Sequence, residues 1–148
     1  MELILACACD DATVRPDGKL DISGIFNELS APGFPAMQDR MTVVFIVEWG
    51  PEETGRLPLR ADLVDEANRP VLTIQGHTEV EARGSDRARP QTRLIMPLED
   101  VVFPAAGRYH FELKVGEQTR RAFSLFVGRS AGAEPHGSRP MGPGITGR

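Results

Sequence analysis

Apolar and polar side chains alternate with a period of two through most of the chain before position 128, and no helix-length stretch free of Pro and Gly carries a 3.6-residue apolar stripe. The clearest run is Tyr109, Phe111, Leu113 and Val115, alternating with Arg108, His110, Glu112 and Lys114. Gly116-Glu117 then predicts a two-residue hairpin into Phe123, Leu125 and Val127. Met41, Val43, Phe45, Val47 and Trp49 form a second row, and the partly apolar set between them (Thr42, Val44, Ile46, Glu48) predicts an interior strand. Leu57, Leu59, Ala61 and Leu63 predict a half-buried strand that Pro58 places near an edge. In the next strand Leu72, Ile74, Gly76, Thr78 and Val80 face inward, which leaves His77 to solvent. Thr92 leads into Leu94, Met96 and Leu98, then Val101 to Phe103.

Two segments break the simple alternation. Leu3 to Cys9 is apolar at every position, which predicts a central strand covered on both sides. Between Leu20 and Leu29 the inward set shifts from Leu20 and Ile22 to Ile25 and Leu29, which predicts a β-bulge at Gly24. Turn chemistry separates the runs: Pro16-Asp17-Gly18-Lys19, Ala31-Pro32-Gly33-Phe34-Pro35, Gly50 to Gly55, Asp65 to Pro70 and Gly84 to Pro90. About eight strands at regular spacing predict an all-β fold, a two-sheet antiparallel β-sandwich. Pro104 to Phe111 resembles the corner before the penultimate strand of immunoglobulin-like sandwiches, with Gly107 in the turn and the Tyr109 hydroxyl bonded back to backbone.

With 148 residues the chain fits one domain, and its 15 Gly and 12 Pro suit short strands joined by turns. The β-sandwich domain spans 1–127. Residues 128–148 hold six Gly and three Pro, bury too little apolar surface to order themselves, and form a Gly/Pro-rich disordered tail. The net charge is −4, and the tail's three Arg against one Glu leave −6 for the body. An acidic body with two lysines, Lys19 and Lys114, argues against a nucleic-acid partner. The start has no basic n-region and its apolar run ends at Asp10 and Asp11, too short for a signal peptide or a membrane span. The cytoplasm is the expected compartment. Cys7 and Cys9 share one face of a strand, where a bridge between them would strain the backbone, so both are expected as buried free thiols.

Candidate chemistry is sparse. Asp10, Asp11 and Asp17, with Glu52, Glu53, Glu99 and Asp100, gather at predicted loops and could hold calcium in a C2-like manner, although acidic residues at turns more often cap them. Cys7 and Cys9 form at most half of a metal site. Arg83, Arg87, Arg89 and Arg93 flank one loop and Arg120 and Arg121 begin the last strand; they could grip an acidic partner, or solubilise loops and protect edges. Ser23, Ser30, Ser85 and Ser124 lack a nucleophile-elbow setting, and His77, His110 and His136 have no partner spacing. No catalytic residue and no cofactor is assigned.

Over about residues 3 to 127, Cys9-Asp10-Asp11-Ala12, Gly18 to Phe26, Leu63-Val64-Asp65-Glu66 and Val102-Phe103-Pro104 through Leu113 are similar to a family of small uncharacterised bacterial proteins, a domain of unknown function. That resemblance implies an immunoglobulin-like or C2-like β-sandwich and a bacterial source, and carries no catalytic position. The function expected is a non-enzymatic module acting through contacts with another protein. The alternatives are a calcium- or carbohydrate-binding C2-like module, then a hydrolase or metal site. Homo-oligomers could form through an edge strand.

Overall fold

The computed structural model describes residues 1–130 and the backbone pairing of Thr146–Gly147. All regular structure among the described residues is strand: β1 (Glu2–Cys9), β2 (Asp11–Val14), β3 (Leu20–Ser23), β4 (Glu28–Ala31), β5 (Ala36–Glu48), β6 (Gly55–Val64), β7 (Pro70–Val80), β8 (Gln91–Phe103), β9 (Gly107–Val115), β10 (Gln118–Arg129) and β11 (Thr146–Gly147). They form a three-stranded sheet in the order β1-β5-β8, a six-stranded sheet in the order β11-β4-β10-β9-β6-β7, and the β2-β3 hairpin.

The inner rows of the two larger sheets meet as the core. From the smaller sheet come Met41, Val43, Phe45 and Val47, and from the larger Leu59, Ala61 and Leu63 of β6, Tyr109, Phe111 and Leu113 of β9, and Leu125 and Val127 of β10, all buried. Phe45 meets Phe111 edge to face with centroids 6.2 Å apart, and Trp49 closes one end with its indole N–H donating to Thr92 Oγ1 at 2.8 Å. The last hairpin forms as the alternation predicts, Val115 pairing with Gln118 across Gly116-Glu117.

Four expectations change. First, β1 is not central: it pairs with β5 alone along its length, with a single bridge from Ala8 to Phe26 on its other side. Its second face is apolar because the β2-β3 hairpin folds over it, so that Ala12, Leu20 and Ile22 cover Cys7, Cys9 and Val44. Second, the predicted strand from Leu20 to Leu29 is two strands. Asp11 pairs with Ser23 and Ala8 with Phe26, the same register on both sides of Gly24, so no residue is inserted there and the bulge is absent. Gly24 instead turns the chain with φ +69°, and its Cα rests on Asp10, whose Oδ2 would lie 2.2 Å from an added Cβ.

Third, the pairing is not wholly antiparallel, because β4 runs parallel to β10 from Glu28–Phe126 to Ala31–Arg129. A strand of four residues, three of them buried in succession, gives no alternation and cannot announce its partner or its direction. Fourth, β6 is interior, between β9 and β7; Pro58 is tolerated because pairing with β9 begins at Leu59. Of the region read as tail, Gly128 and Arg129 end β10, the Ser130 N–H donates to the Ala31 carbonyl at 2.8 Å and Thr146–Gly147 pairs with β4, while the remainder lies outside the described residues. No helix among the described residues is long and apolar enough to cross a membrane.

Candidate functional site

The acidic residues proposed for calcium do not converge. Asp10 precedes β2 and Asp11 opens it, whereas Asp17 sits past its far end at the hairpin tip, where its carboxylate accepts the Lys19 N–H at 3.1 Å and pairs with Arg15 at 2.9 Å. Strand rise alone separates the two ends by about 10 Å. Glu53 is taken up elsewhere, accepting from the Gly50 N–H at 2.9 Å, Gln118 Nε2 at 3.1 Å and the Met1 ammonium. Burial raises its pKa, and these three donors together bring it below the usual carboxylate value.

Cys7 and Cys9 are free and buried beneath the hairpin. Burial, then the neighbouring Cys7, pushes the Cys9 thiol up to about 11, and burial raises Cys7 as well. Both are therefore neutral thiols at physiological pH, poor nucleophiles and poor metal ligands. Arg93 of β8 holds the hairpin down by donating to the Gly18 carbonyl at its tip.

Tyr109 is 3% exposed, and its hydroxyl donates to the Ala105 carbonyl while accepting the Ala105 N–H at 3.2 Å. Gly107, at φ +148°, brings the chain past Glu66, whose Oε1 accepts the Arg108 N–H at 3.1 Å. Both positions shape a corner. Arg83, Arg87 and Arg89 line a shallow cavity of about 350 Å³ beside Trp49, and Arg83 reaches back to the Ala88 carbonyl of its own loop at 3.4 Å. Arg120 likewise bonds locally, to Thr119 and Gln118. Ser124 stands opposite His110 in the register, yet no serine–histidine hydrogen bond occurs among the described residues. His110 is buried with Nε2 3.3 Å from Glu112 Oε1, and His136 lies outside the described residues.

Two features escaped the sequence reading. The first is Asp62, 3% exposed on the outer face of the larger sheet. It accepts from Arg60 Nε at 3.0 and 3.1 Å and from Thr73 Oγ1 at 2.6 Å, and Lys114 Nζ lies 3.9 Å away. This carboxylate cross-links β6, β7 and β9 and so stiffens the β7 side of the sheet. Its signal was present as a lone acid in an apolar strand, but two of its contacts, Thr73 and Lys114, come from neighbouring strands that only register reveals.

The second feature is the seam where both sheets end on one side. β7 ends the larger sheet and β8 the smaller. The two strands touch where Thr78 and Thr92 hydroxyls lie 3.3 Å apart, and between Ile74 and Met96 they part around an apolar crevice of about 90 Å³. Ile74, Leu94 and Met96 are only partly buried there. β8 has Pro97 in its middle, which removes an N–H, and Asp100 at φ +53°, whereas β7 has no proline after its first residue. The β7 edge, which no strand among the described residues pairs, is therefore the longer uninterrupted one for main-chain hydrogen bonds.

A family model described as a family of unknown function, DUF6941, matches residues 4–128. No curated protein matches the chain.

Proposed function

The chain belongs to DUF6941, a family of unknown function, and from that premise we propose that it is a non-enzymatic binding module that holds another protein by adding a strand of the partner to the β7 edge. The observation that carries this is the seam: a stiff strand, paired on one edge with β6 and on the other with no described strand, lies over an apolar row that the described strands leave half covered. Strand addition draws affinity from main-chain hydrogen bonds and selectivity from pockets for alternate side chains, and β7 offers both. The order β4-β10-β9-β6-β7 over β1-β5-β8, with the Tyr109 corner, supports an immunoglobulin-like reading of the sandwich. Unbridged, buried Cys7 and Cys9 support a reducing compartment, the cytoplasm.

Hydrogen exchange with peptides selected from a displayed library of extended sequences tests the assignment. β7 amides are expected to gain protection when a selected peptide binds. Protection confined to other strands, or no peptide bound at all, overturns it, and self-association that protects β7 would make a second copy the partner.

A further inference from the structure

Resting on the β7 reading, we infer that the partner strand carries one aliphatic side chain flanked by acidic ones. The inward side of the edge sets the aliphatic residue. Leu59, Ala61 and Leu113 are the buried floor of the crevice and Ile74, Leu94 and Met96 its half-open walls. Gly76 lies between the inward positions Ile74 and Thr78, opposite Leu59, and an added Cβ there would meet nothing within 4 Å. The strand thus has a gap in its inward row where a neighbour's side chain can enter. About 90 Å³ is room for a single aliphatic side chain, less than the ~150 Å³ apolar cavity that takes a benzene ring.

The outward side sets the charge. Side chains alternate between faces, so when a residue opposite Gly76 points into the crevice, its neighbours point to the outer face beside His77 and Gln75. There Arg56 stands opposite Glu79 in the register but forms no ion pair with it; its guanidinium donates instead to His77 Nδ1 at 3.2 Å. Arg56, Pro58, Gln75, Gly76 and His77 together line a wide open recess that adjoins the crevice at Gly76. An exposed guanidinium whose one side-chain contact among the described residues is an imidazole nitrogen leaves further donors for a carboxylate, which Arg binds in a fork. Aliphatic anchor and acidic neighbour are adjacent in one strand because crevice and cation sit on opposite faces of the same edge.

Three synthetic extended peptides separate the requirements, with Glu-Leu-Glu, Lys-Leu-Lys or Glu-Ala-Glu at the centre of an otherwise shared sequence, and affinity and β7 amide protection are read for each. Glu-Leu-Glu is expected to bind at least about tenfold tighter than either of the others. Gly76→Val, which fills the gap, should erase the preference for Leu over Ala, and Arg56→Glu should reverse the preference for Glu over Lys. Equal binding of all three with β7 still protected overturns the inference and leaves the edge assignment standing. Failure of all three to protect β7 in a protein that retains its strand spectrum overturns the inference together with the edge assignment.

Discussion

The two flanks of the sandwich handle the same problem in opposite ways. On the β1 flank, Leu5, Cys7, Cys9, Val44 and Ile46 form an apolar outer face, and the chain spends a hairpin on covering it, pinned at its tip by Arg93. On the β7-β8 flank, Ile74, Leu94 and Met96 form a comparable row and no described strand covers it. A fold that seals one apolar strip and leaves another half open has solved a stability problem at the first and, in the function proposed above, keeps a contact surface at the second. Perturbations should therefore cost much more on the sealed flank than on the open one.

The largest effect should come from alkali. Cys9 is held neutral with a pKa of about 11, above the ordinary thiol value of 9.0, so its contribution is intact below pH 9 and is lost as the pH rises toward 11. The loss amounts to about 2 to 3 kcal/mol. Urea midpoints measured across that range should fall, and Cys9→Ala should flatten the fall; an equal fall in the variant would assign the loss to other groups. Next, Gly24→Ala places a side chain at φ +69° against the Asp10 carboxylate and should cost about 1 to 2 kcal/mol, read by the same unfolding curve. A cost below about 0.5 kcal/mol would mean that the start of the hairpin relaxes freely.

Tyr109→Phe calibrates the scale between the flanks. The hydroxyl bonds both polar groups of Ala105, but Ala105 is exposed and water can replace the hydroxyl, so about 1 kcal/mol is expected rather than the larger penalty of a buried orphan. An unchanged midpoint would remove the corner from the account of stability. The smallest effect belongs to the open flank: Gly76→Val enters empty space and should shift stability by less than about 0.5 kcal/mol in either direction. A destabilisation above about 1 kcal/mol would show that the gap is packed in solution, and the contrast between the flanks would fail.

Strands with a clean two-residue alternation were legible. β9 and β10 declare themselves, and so does β5, because one face is core and the period is visible in single residues such as Phe45 and Phe111. β2, with Asp11-Ala12-Thr13-Val14, was invisible because only Ala12 turns toward a core. Apolar residues on both faces make β1 look central in sequence, but the same pattern results when a hairpin covers an edge strand. Turn composition identified where Gly24 mattered and misjudged how, since bulge and positive-φ turn both call for glycine. The seam could not be read at all. It depends on which strands end their sheets, and Ile74, Leu94 and Met96 look like ordinary core positions until strand order shows that no neighbour follows.

The parallel pairing of β4 with β10 has a consequence for synthesis. Glu28–Ala31 pairs with Phe126–Arg129, roughly a hundred positions later, and with Thr146–Gly147 later still, so on a ribosome adding about 5–20 residues per second the segment waits roughly 5 to 20 seconds before its sheet exists. Leu29 and Ala31, 2% and 1% exposed in the finished protein, are bare during that interval. Nascent chains stalled before Phe126 should then be protease-sensitive between β3 and β5 while later-stalled chains resist, and early resistance at Leu29 would point to another strand shielding it in the meantime.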